Sequence, residues 1–160
     1  MSQALLVMFE EESKEISEII TRLVKEANAK SAYLVDKDGQ LISSAGDTAD
    51  IDTTSLASLT AGNIAATGGL AQLIGEKEFS ILFHEGEKDN IHISIVGQRV
   101  ILVVIFDERS SLGLIRLRVR KVCDELGVVI AKIVKRMEES SSSENLLEEI
   151  TDDDIESLFK

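Results

Sequence analysis

The sequence has no proline and no tryptophan, and only one tyrosine, five phenylalanines and one cysteine among 160 residues. So few rings leave no stacking platform of the kind that binders of single-stranded nucleic acid need. The lone thiol, Cys123, allows no internal disulfide and no CxxC metal pair, which suits a reducing compartment. The longest apolar run, Val100–Phe106, is far short of the about 20 residues that a membrane helix requires. Residues 4–9 are apolar, but no base precedes them and a charged run follows from Glu10, so they do not read as a signal peptide. Bases are also scarce. Against 29 acids there are 17, a net charge of −12, which argues against a nucleic-acid backbone as ligand. These absences together read as a cytoplasmic protein with an aliphatic core.

Catalytic signatures are missing as well. No Ser-His-Asp order, GxSxG, HExxH or EF-hand loop occurs. In GNIAATGG five residues separate Gly62 from Gly68, no Lys-Ser/Thr follows and no strand feeds directly into it, so it is not a phosphate loop. Asp50 and Asp52 read as a helix-cap region rather than a metal site. His84 and His92 have the same parity in adjacent strand candidates. A symmetric loop would set them on one sheet face, as half-buried polar residues or, in a more demanding reading, as a metal or acid–base pair. Cys123 falls beside the core face of the last helix and reads as a packing residue. No catalytic residue, metal or cofactor is expected.

What is present is strong periodicity. Ile16, Ile19, Ile20, Leu23, Val24 and Ala27 recur at helical spacing, predicting a helix over 10–27. Ser31–Asp36 and Gln40–Ala45, joined by Lys37-Asp38-Gly39, predict a hairpin. A second helix is predicted from a cap at Asp52, Thr53 or Thr54 to about Gly75. Three strands follow, Phe79–Glu85, Ile91–Val96 and Val100–Phe106, the last apolar on both faces and so central. A long helix is predicted from Ser111 to Met137, with Leu112, Ile115, Val119, Val122, Leu126, Val129 and Ile133 on one face. The simplest solution is an α+β domain with helices packed on a five-stranded antiparallel meander. The domain is placed at residues 1–137, a Ser-rich linker at 138–143 and an acidic amphipathic tail at 144–160.

Three segments carry candidate contacts. In the middle helix Ala57, Ala61, Ala65 and Gly69 step by four, with Gly62, Ala66 and Gly68 beside them. Each helical glycine costs about 1 kcal/mol relative to alanine. A stripe without bulk lets another backbone approach closely, either this chain's own sheet or the helix of a second copy or partner. Arg116, Arg118, Arg120 and Lys121 form a basic cluster that could meet an acidic partner but is rather expected to pair with Glu11, Glu12, Glu15 and Glu18 of the first helix. In the tail, Thr151 and Asp154 have capping-box spacing, Ile150 and Ile155 stand at the staple positions, and Ile155, Leu158 and Phe159 share a face. Such a helix is marginal alone and suits folding on a partner.

The strings ANAKSAYLVDKDGQLISSAG, IDTTSLASLTAGNIAATGGLAQLIGE and VGQRVILVVIFDERSSLGLIRLRVRK resemble the Roadblock/dynein-light-chain family over about residues 5–137. With the terminal ITDDDIESLF, they resemble its bacterial branch concerned with cell polarity and gliding motility. The resemblance implies a Roadblock-type α-β-β-α-β-β-β-α sandwich and a homodimer whose middle helices lie antiparallel and whose sheets join edge to edge. It implies that one Ras-like small GTPase binds per dimer on the middle-helix face. That places Ala57, Ala61, Ala65, Gly68 and Gly69 in or beside the contact. It further implies that the tail segment from Asp152 through Asp154, Ile155 and Leu158 to Phe159 docks on the GTPase and promotes nucleotide exchange. GTP hydrolysis would be stimulated by repositioning the GTPase's own residues, without an arginine finger. A non-activating scaffold or adaptor for a GTPase or polar protein is the alternative. Localisation in the cytoplasm, concentrated at a cell pole with polarity proteins as further partners, goes with either reading; membrane insertion does not.

Overall fold

The computed structural model describes residues 10–148, with side chains as far as Ser141. The elements run α1 (Glu10–Glu26), β1 (Ser31–Asp36), β2 (Leu41–Gly46), α2 (Thr53–Leu73), β3 (Ile81–Glu85), β4 (Asn90–Val96), β5 (Val100–Phe106) and α3 (Leu112–Glu148). This is the α-β-β-α-β-β-β-α order the sequence predicts, in an α+β fold with a five-stranded antiparallel sheet.

The strand order is β2-β1-β5-β4-β3, so the sheet is not the simple meander expected. β3, β4 and β5 do run as a meander, but β1 pairs with β5 rather than closing the far edge. The reason lies in the apolar content. β5 is buried at all seven positions and β1 at all six, so both need a neighbour on each side. α2 then carries the chain from β2 at one edge to β3 at the other.

Alternation along the strands divides the core. On one face Ala32, Leu34, Leu102 and Val104 pack under α1 and α3. On the other, Tyr33, Val35, Ile101, Val103 and Ile105 pack under α2. α2 lies over β1, β2 and β5 and leaves the β3–β4 side of that face less covered.

α1 and α3 run antiparallel and are laced by ion pairs. Arg22 meets Glu125, Arg136 Nη1 lies 2.6 Å from Glu12 Oε1, and Arg118 Nη1 lies 3.7 Å from Glu26 Oε2. The expected pairing of the basic cluster with Glu11, Glu12, Glu15 and Glu18 is therefore corrected. The antiparallel packing sets that acidic end of α1 beside Arg136. Of the cluster, only Arg118 ion-pairs among the described residues, and its partner is Glu26 at the other end of α1.

Two further expectations change. α3 does not stop near Met137 but continues through Ser140–Ser143 to Glu148. Nothing in that stretch is a proline or glycine, and serine costs a helix only a few tenths of a kcal/mol. The histidines also separate. Asn90 joins β4, so the loop has four residues, 86–89, and the pairs are Phe83↔His92 and His84↔Ile91. A one-residue change of register reverses a side chain's face. His92 thus sits under α3, while His84 faces the α2 side, and no shared site exists.

Candidate functional site

α2 is built to present an uncovered face. Asp52 caps it: Oδ1 accepts from Ser55 N at 3.3 Å and Oδ2 from Ser55 Oγ at 2.8 Å. Those bonds hold the Asp52 carboxyl below its usual range. At the other end the chain turns out at Gly75, with φ +78°. Between these ends only Ala57, Thr60 and Ala71 are buried.

The four-residue stripe seen in the sequence proves to be two features. A step of four residues advances 400° around a helix, so the row drifts by about 40° per step. Ala57 is buried on the sheet, Ala61 is half-buried, and Ala65 and Gly69 are exposed, while neighbouring Gly68 is half-buried. The buried end has an intramolecular cause. Gly39, at φ +92° in the β1–β2 turn, lies so close that an added Cβ would stand 3.3 Å from Ser58 Cα and 3.5 Å from Ala61 Cβ. Small residues at 57, 58 and 61 admit that turn. Asp36 Oδ1 braces it, accepting from Asp38 N at 2.9 Å and Gln40 N at 3.1 Å.

The exposed end has no such cause. A Cβ added at Gly62, Gly68 or Gly69 would meet nothing within 4 Å. Leu59, Gly62, Ala66, Gly69 and Leu73 step by three and four and are all exposed, so they form the straight outward ridge of α2. Leu59 is 74% exposed, Leu70 60%, Leu73 83% and Ile74 68%. The ridge is a shallow valley of glycine and alanine with leucines at each end. Scattered exposed apolar residues are ordinary, but a contiguous set on one element marks a surface that another protein covers. Leucines 59, 70 and 73 did not stand out in the sequence because α2 is apolar on most sides. That lack of a polar face, in a helix at the surface of a sheet, was the available signal.

Beside the ridge a groove opens between α2 and the sheet, lined by Leu56, Leu59, Asn63, His84, Ile91 and Ile93. Asn63 Nδ2 and His84 Nε2 lie 3.5 Å apart across it. Thr67 Oγ1 donates to the Asn63 carbonyl at 2.8 Å, which ties the Asn63 turn of α2. None of this resembles an acid–base or nucleophile constellation. Among the described residues no group of three His, Cys, Asp or Glu could hold a metal ion, and no helix is long and apolar enough to cross a membrane. Asp152, Asp154, Ile155, Leu158 and Phe159 lie outside the described residues.

A Roadblock/LC7 domain model matches residues 15–106, more than half of the chain. The chain belongs to the Roadblock/LC7 family. Among solved structures, Myxococcus xanthus MglB is similar at 63% identity, with 79% of this chain and 96% of that one covered and a TM-score of 0.76. The gliding protein MglB of Thermus thermophilus is similar at 28% identity over the same shares, with a TM-score of 0.74. An MglB described as having a tetrameric arrangement is similar at 27% identity over the same shares, with a TM-score of 0.76. No curated protein matches. In this Roadblock domain, among the described residues, the middle helix is the one helix on its face of the sheet. Its outward ridge is open.

Proposed function

We propose that this MglB-like Roadblock protein is a regulator, not an enzyme: a homodimer that binds one Ras-like small GTPase of the MglA type and stimulates its GTP hydrolysis, in cell polarity and motility. The observation that carries the reading is the open ridge of α2, whose glycines are unexplained by any packing among the described residues. Two such ridges set against one another bring backbones close, and the flanking Leu59, Leu70 and Leu73 supply apolar area. The GTPase then sits on the joined helices, with Ala61, Ala65, Gly68 and Gly69 in or beside the contact. Ala57 supports it from beneath, since it is buried on the sheet.

Activation in this reading works by positioning, as the family resemblance implies. Holding a GTPase's own arginine and glutamine around the transferring phosphate is worth several kcal/mol without chemistry from the activator. Binding drives the change only if the dimer prefers the hydrolysis-competent state. The tail from Asp152 to Phe159 is a second contact, docking on the GTPase to promote nucleotide exchange. Similarity to M. xanthus MglB at 63% identity supports the assignment.

Ala65 is exposed on α2, so Ala65→Arg is expected to leave the fold intact while filling the valley with a long cation. Co-elution of the GTP-loaded GTPase with the wild-type dimer, and its loss with Ala65→Arg, is the expected result. Undiminished co-elution with a folded Ala65→Arg variant would remove the α2 face from the account.

A further inference from the structure

The opposite face of the sheet holds a cleft that the α2 surface does not use. It encloses 550 Å³ between β4, the start of β3 and the first half of α3. His92 is on its floor, 1% exposed, with neither Nδ1 nor Nε2 hydrogen-bonded. A neutral imidazole carries one donor and one acceptor, and a buried polar group without a partner in a native fold calls for a specific reason. Beside it Ser94 is 4% exposed, and among the described residues its hydroxyl has the Cys123 thiol as hydrogen-bonding partner, at 3.7 Å. Arg116 and Arg120 stand one helical turn apart on α3 and line the same cleft. Neither has an ion-pair partner among the described residues, in a chain with a net charge of −12. Asp124 places a carboxylate at the rim.

We propose that this cleft binds a phosphate group, with the guanidinium groups of Arg116 and Arg120 as counter-ions and the His92 ring and Ser94 hydroxyl as hydrogen-bonding partners on the floor. Two arginines on one helix face exclude a cation as the ligand and match an oxyanion, since the guanidinium fork pairs with phosphate two bonds at a time. A carboxylate has only two oxygens for these donors, whereas phosphate has oxygens pointing in several directions. Hydrogen phosphate also carries a P–OH, which gives the second His92 nitrogen a donor to accept from. Ile81, paired with Ser94, and Val119 add apolar wall, so the same head group on a small organic body also fits. The strongly acidic balance of the chain does not oppose this. Exposed charges more than about 10 Å away are largely screened, and at the cleft itself two arginines stand against the one carboxylate of Asp124.

The chain has two histidines, and His84 faces the other side of the sheet, so it serves as an internal reference. Imidazole NMR of the full chain, titrated with potassium phosphate at constant ionic strength, is expected to show saturable shifts of the His92 resonances and none at His84. Both arginines are exposed, so Arg116→Gln and Arg120→Gln are expected to fold. Each should weaken the apparent affinity about tenfold, the loss of one charged hydrogen bond, and the double variant should abolish saturation. A parallel titration with glycerol 3-phosphate assigns the source: tighter binding there indicates an organic phosphate, tighter binding of potassium phosphate the free ion. Linear shifts of both histidines together, or unchanged affinity in the folded double variant, would overturn the site.

Discussion

At Gly46 the chain leaves β2 with φ +88°, and a Cβ there would collide with the Lys30 carbonyl oxygen and stand 2.9 Å from Ser31 Cα. Gly69, by contrast, has helical backbone and open space around it. The same substitution should therefore have opposite signs at the two positions. Gly46→Ala is expected to destabilise the fold by more than about 2 kcal/mol, from strain and collision together. Gly69→Ala should stabilise the folded chain by up to about 1 kcal/mol through helix propensity. Urea unfolding midpoints of the two variants check this. A destabilising Gly69→Ala at protein concentrations too low for association would mean that glycine has a role inside the chain.

His92 gives the second prediction at this scale. Burial first, and then the charge of Arg116, hold its pKa below the usual 6.5. The unfolded chain then binds a proton at a higher pH than the folded one. Above 6.5 both states are neutral there and the term vanishes. As pH falls through 6.5 towards the depressed folded value, the unfolded state takes up the proton and stability falls. The displaced carboxylates, Glu12, Asp52 and Asp107, titrate well below that window. The unfolding free energy is thus expected to drop as pH falls below 6.5, and His92→Gln should flatten the slope. An equal slope in that variant would place the titrating group elsewhere.

At the scale of elements, much was legible because periodicity and turn chemistry agreed. VILVVIF read as a central strand, and β5 is central because a strand apolar on both faces needs cover on both. Asp38-Gly39 read as a turn, and Gly39 takes φ +92°. What escaped the sequence depends on single residues or on neighbours distant in the chain. One residue, Asn90, entering β4 changed the loop length and sent His84 and His92 to opposite faces. The serines 140–143 read as a break, yet nothing there forbids a helix. The small-residue stripe was visible, but not that Gly39 explains its buried end while its exposed end is unexplained among the described residues. The arginines that face the cleft and those that pair with α1 could not be told apart without the helix orientation. For the tail, removal of residues 144–160 is expected to leave the dimer intact, because the α2 ridge lies far from it in the sequence. The same removal should slow nucleotide exchange on the GTPase, read by release of a fluorescent nucleotide. Equal release rates would leave the tail without that role.

At the scale of the molecule, the sheet separates two surfaces. Among the described residues α2 is the one helix on one face, with an apolar ridge open, and α1 and α3 close the other, with a polar cleft at its β3–β4 side. A partner on the first face leaves the second accessible. The central claim is that the first surface makes a GTPase faster. Single-turnover GTP hydrolysis by the matching Ras-like GTPase, with and without this protein, tests it most directly. The account predicts a faster rate that saturates at one GTPase per dimer and is lost with Ala65→Arg. An unchanged rate from a dimer that still binds the GTP-loaded protein would contradict it and leave a scaffold.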